Sequence, residues 1–152
     1  MNKLLILLLA LIISCTNAVP SNSKDRQMKG EILASESQGG ADEAGFKIIK
    51  DQSELTKSIT DHFSKSGMEP VMKIPVMPND KKVVLYNLGT FSSGDHKIST
   101  IKSISVKDKV LYVEVPEYQS GGMGIQVMSN PWFIFSVPSN FQFNSVELKY
   151  SK

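Results

Sequence analysis

Residues 82–115 read KVVLYNLGTFSSGDHKISTIKSISVKDKVLYVEV, and this run leaves the chain few folds to choose from. β-Branched and aromatic residues dominate it, which favours a pleated, half-buried backbone over a helix. Val83-Val84-Leu85-Tyr86 is apolar on both faces, the mark of a central strand. Residues 98–106 are mostly Ile, Ser, Thr and Val, with Lys102 interrupting. The shift of apolar parity between Ile98 and Ile101 predicts a bulge. Lys107-Asp108-Lys109 is a tight charged turn, and residues 110–115 return from it, so the two runs form a hairpin.

The remaining segments fit the same class. Phe46-Lys47-Ile48-Ile49 is a short strand. Asp51 and Glu54 match a capping box, with Asp51 at the N-cap. Leu55, Ile59 and Phe63 then recur at four-residue steps, an apolar stripe on one helical face, and Gly67 stops the helix. His62 sits beside the stripe as a partly exposed packing residue rather than a ligand. Pro70, Pro75 and Pro78 make residues 69–80 an extended connection or edge strand. Met68, Met72 and Met77 fill gaps beneath it. Residues 125–128 and 132–137 are further strands, with a break at Ser129-Asn130-Pro131. Val146, Leu148 and Tyr150 alternate with charged residues in a one-faced final strand. The expected fold is mainly β (α+β): a small antiparallel β-sandwich or barrel-like domain of about seven strands with one N-terminal helix, spanning residues 45–152.

The first residues speak to location. Met1-Asn2-Lys3, an unbroken apolar run over residues 4–13, and then Ser14 describe a bacterial secretion signal over residues 1–14. The run is shorter than the roughly 20 residues that span a bilayer. Ile12-Ile13-Ser14-Cys15 resembles the lipobox of bacterial lipoproteins, where cleavage precedes a lipid-bearing Cys. Cys15 is the chain's single cysteine. Lipidated, it leaves no thiol for a disulfide, a nucleophile or a metal site. Thr16 replaces the Asp that retains many proteobacterial lipoproteins in the inner membrane, so the expected location is the outer membrane of the cell envelope. Residues 15–44 are polar and lack aromatics, and are expected to form a disordered tether. With 17 basic and 15 acidic residues, the chain has no electrostatic footprint for nucleic acid.

Three strand-end loops are the candidate contact surfaces. The first holds Thr90, Phe91, Ser92, Ser93, Gly94, Asp95 and His96. The second holds Tyr118, Gly121, Gly122 and Met123. The third is Asn130-Pro131-Trp132, where a Trp directly after Pro at a strand entrance is expected to be partly exposed and to anchor a contact. Catalytic chemistry has weak support. Ser92, Ser93, Asp95 and His96 are close in sequence, but no nucleophile elbow surrounds them. Gly121-Gly122-Met123-Gly124 lacks the Lys-Ser/Thr pair of a phosphate cradle. The acidic residues are too scattered for a calcium loop. No cofactor is expected.

Val83-Val84-Leu85-Tyr86-Asn87-Leu88-Gly89, Ser93-Gly94, Ile98, the hairpin to Val113 and Ser129-Asn130-Pro131-Trp132 together resemble the C-terminal domain of the PrcB family. That family takes its name from a lipoprotein subunit that stabilises a surface protease complex. Its loop commonly reads Gly, three variable residues and Thr-Gly-Gly-Tyr. Here Gly89 is followed by Thr90-Phe91-Ser92 and Ser93-Gly94-Asp95-His96, so Asp95 and His96 depart from the pattern. The resemblance implies a non-enzymatic accessory protein that binds and stabilises an envelope partner, with a protease complex as one candidate. Ser93-Gly94, the Gly-rich run at 121–124 and Asn130-Pro131-Trp132 also resemble, in order, the three loops of chagasin-type cysteine protease inhibitors. Asn130 stands where those inhibitors carry Arg, and the second and third loops are closer in sequence than theirs. A third alternative is a purely structural envelope lipoprotein.

Overall fold

A computed structural model describes residues 28–67, 73–92, 95–119 and 127–152. Seven strands and one helix follow the order β1 (Glu31–Glu36), β2 (Ala44–Ile49), α1 (Gln52–Lys65), β3 (Lys81–Leu88), β4 (Ser103–Lys107), β5 (Val110–Pro116), β6 (Trp132–Pro138), β7 (Ser145–Ser151). One sheet has the strand order β1-β6-β3-β2, and the other has β4-β5-β7. They face each other as a β-sandwich, and α1 covers the outer face of the four-stranded sheet.

The local signals place the helix and the hairpin. The Asp51 side chain accepts the Glu54 amide at 2.8 Å, and the Glu54 carboxylate accepts the Lys50 amide at 2.8 Å. Leu55, Ile59 and Phe63 are all buried. Gly67 ends the helix at φ +72°, a left-handed conformation that costs Gly little. Asp108 and Lys109 both have positive φ, which gives the β4–β5 turn the twist of its strands.

Alternation on the central strands divides the interior into two layers. Val83 and Leu85 of β3 and Trp132 and Ile134 of β6 face α1, where they meet Leu55, Ile59 and Phe63. Val84 and Leu88 of β3 and Phe133, Phe135 and Val137 of β6 face the other sheet, meeting Ile104, Leu111, Val113 and Val115. β3 and β6 are central in their sheet and covered on both sides, so they read as continuous apolar runs.

Four expectations are corrected. First, part of the segment expected to be a tether is structural: β1 pairs with β6 from Glu31↔Ser136 to Glu36↔Trp132, burying Ala34 and Ser35, and Met28 bridges Ile104. The domain therefore starts before Gly45. Second, residues 98–102 are irregular rather than a bulged strand. Ile98 and Ile101 are buried there, and the ladder begins at Ser103. Third, Val127 and Met128 lie outside any strand and are exposed, while residues 125 and 126 fall outside the described residues. Fourth, one pairing is parallel. The chain leaves β5, crosses to the opposite sheet as β6, and returns as β7 running alongside β5. Met68 and Met72 also fall outside the described residues, whereas Met77 packs against the layer under α1.

Candidate functional site

The ends of β1, β3 and β5 and the start of β6 lie at one end of the sandwich, and three loop segments converge there. Phe91 and Ser129 form an isolated antiparallel bridge, each amide donating to the other's carbonyl at 2.8 Å. This pair continues the β3–β6 ladder beyond Leu88. The Asn130 side chain donates from Nδ2 to Thr90 Oγ1 at 3.0 Å and to Asp42 Oδ1 at 3.1 Å. Thr90 Oγ1 in turn donates to the Asp42 carbonyl, and the Gly40 amide donates to the Asn130 carbonyl. The β1–β2 connection thus belongs to this end, which the polar composition of residues 37–43 did not reveal.

An aromatic stack sits beside the bridge. The His96 ring lies parallel to Tyr118, with centroids 4.5 Å apart and planes at 7°, and its other neighbour is Phe91 at 4.1 Å. The Tyr118 hydroxyl donates to Asp95 Oδ1. His96 is only 3% exposed, and neither ring nitrogen has a hydrogen-bond partner among the described residues. Burial pushes its pKa below the ordinary value of 6.5, and the nearby Asp95 charge opposes this only in part. This corrects the expectation that His96 belongs to the contact surface of its loop. The alternation was visible in sequence, since His96 and Ile98 are buried while Lys97 and Ser99 are exposed.

A cleft of about 160 Å³ opens next to the stack, walled by His96, Lys97, Ser99, Glu117, Tyr118 and Gln119. Thr90, Ser92 and Asp95 are exposed on this end. Val127 and Met128 add exposed apolar surface just before Ser129. Ser93, Gly94, Gly121, Gly122 and Met123 lie outside the described residues, as does Cys15.

Trp132 is not on this surface. Its side chain is fully buried on the α1 side of β6, 4.7 Å from the His62 ring and 5.8 Å edge-on from Phe63. Its indole N–H donates to the Gln38 carbonyl at 2.8 Å. Pro131 precedes a central strand, and the parity of that strand carries the next side chain inward beneath the helix. His62 is likewise more buried than expected. Its Nδ1 donates to the Ser58 carbonyl at 2.7 Å.

No protein-family model, curated protein or solved structure matches this chain. Among the described residues there is no cluster of metal-binding side chains, and no helix is long and apolar enough to cross a membrane.

Proposed function

We propose that this chain is a lipid-anchored accessory protein of the cell envelope, carried at the outer membrane on Cys15, that docks and stabilises a partner protein with the loop end of its sandwich. The convergence of Thr90, Phe91, Ser92, Asp95, Tyr118 and residues 127–130 on one end is the observation that carries this reading. It offers exposed polar and apolar groups on a braced backbone, a form suited to recognition.

The resemblance to the PrcB family supports a protease complex as the partner class. The inhibitor alternative depends on presenting the aromatic of the third loop, and the burial of Trp132 counts against it. Site-specific photo-crosslinkers at Thr90 and Ser92 in intact envelopes test the docking surface, with Asp108 at the opposite end as the comparison. Protein adducts should form from the first two positions. Adducts from Asp108 alone, or none from Thr90 and Ser92, would overturn the proposal.

A further inference from the structure

His96 occupies the meeting point of the two sheets at the loop end, and the docking role makes no use of it. The segments on either side belong to different layers. Phe91 prolongs the four-stranded sheet through its bridge to Ser129, while Tyr118 follows β5 of the three-stranded sheet. The imidazole fills the gap between these two rings. Both of its nitrogens are shut off from solvent without a hydrogen-bond partner among the described residues. A neutral ring leaves one N–H without an acceptor among the described residues, whereas a charged one would leave two and bury a full charge as well.

The charged groups around it are few. Asp95 precedes it and receives the Tyr118 hydroxyl. Lys97 follows it and is paired with Glu36 at 3.0 Å. Glu117 lies in the cleft wall, and Phe91 contributes no charge. Asp95 is the group that favours an imidazolium, and desolvation outweighs it.

We propose that His96 is an acid-operated latch: the neutral ring holds Phe91 and Tyr118 together, and its protonation releases that contact and opens the seam between the sheets at the loop end. This device goes beyond docking, and its readout requires no partner. The direction follows from proton linkage. Burial lowers the folded-state pKa of His96, so below about pH 6.5 the opened state binds more protons than the closed one. The closed state keeps its full stability above that pH. It loses stability as the pH falls toward the folded pKa and levels off below it.

Hydrogen exchange and ring titration by NMR on the full chain in detergent micelles test the latch. The His96 ring should titrate below 6.5. The amides of Phe91 and Ser129, bonded to each other's carbonyls, should then exchange faster relative to Val84 in β3. After correction for intrinsic exchange, the ratio should rise by up to about tenfold per pH unit within the titration window. His96→Phe, which keeps a stacking ring, should abolish this dependence. A His96 titration at or above 6.5 would overturn the latch, as would constant relative exchange at Phe91 and Ser129 through the His96 transition. An unchanged acid response in His96→Phe would overturn it too. The titration and exchange in the unsubstituted chain decide the matter even if that variant fails to fold.

Discussion

Replacing Trp132 separates an interior anchor from a contact residue. The ring is fully buried and contacts both His62 and Phe63 of α1. Removing a buried aromatic side chain typically costs about 3–5 kcal/mol, and Trp132→Ala should fall in that range. Trp132→Phe keeps most of the ring but leaves the Gln38 carbonyl without its 2.8 Å donor. Gln38 is only half-buried, so water can replace the indole N–H, and the cost should be about 1–2 kcal/mol. Urea unfolding followed by far-ultraviolet circular dichroism measures both variants. At a slope of about 2 kcal/mol per molar urea, the alanine variant should lose about 2 M in midpoint. Trp132 is the only tryptophan, so fluorescence of the unsubstituted chain reports the same site. Its emission should be blue-shifted in the folded state and move to the red at the transition seen by dichroism. A loss below about 1 kcal/mol for Trp132→Ala, the size of an ordinary surface change, would refute the interior assignment. So would a phenylalanine variant as damaged as the alanine one.

A chain starting at Gly45 should fail to unfold cooperatively in the same assay, because it lacks β1 and leaves β6 as an exposed edge; a chain starting at Met28 keeps every described contact and should retain a single transition. Gly39→Ala should cost more than Gly67→Ala in urea midpoint. Both positions have positive φ, a left-handed cost of about 1–2 kcal/mol for other residues, but a Cβ at Gly39 would also lie 2.0 Å from the His62 carbonyl oxygen while that at Gly67 meets nothing.

The features legible in the sequence are those written in local spacing. Asp51 and Glu54 are three residues apart, Leu55, Ile59 and Phe63 four, and the β4–β5 hairpin closes over two residues. Each forms from neighbours, so a short window contains its cause. β1 escaped because its apolar core is short, Ile32-Leu33-Ala34, and its flanks are polar. What makes it a strand is a place beside β6, and the Ser136 hydroxyl that donates to Glu31 is 105 residues away. The count of seven strands among the described residues agrees with expectation while the membership differs, since β1 is a strand and Val127 and Met128 are not. Trp132 was misplaced for a related reason. Residues 132–137 are apolar at both parities, as the β3 run is, and both runs lie between α1 and the second sheet. The same two-sided argument used for Val83-Val84-Leu85-Tyr86 would have placed the indole inside.

The convergence of the loops and the position of His96 have one structural origin. A sandwich of two sheets has open ends, and something must join the layers where the strands stop. At this end the described cross-layer contacts include the Phe91–His96–Tyr118 stack and the Lys97–Glu36 ion pair, beside the core packing of Leu88, Ile98 and Val115. The ion pair is partly exposed and contributes at most about 1 kcal/mol. The stack is centred on the buried His96 ring, so it carries more of the joint than the ion pair, and it is the contact that the proposed latch would release. The exposed groups proposed for docking, Thr90, Ser92 and Asp95, are on the same segment as His96, and Asp95 holds the Tyr118 hydroxyl. Thr90 is further tied to Asp42 and Asn130. A partner gripping these residues would bear on the joint between the sheets, and a change at His96 would alter the surface presented to that partner. Under these two proposals, binding and opening would be coupled through a few adjacent side chains, with no need for a signal to cross the core.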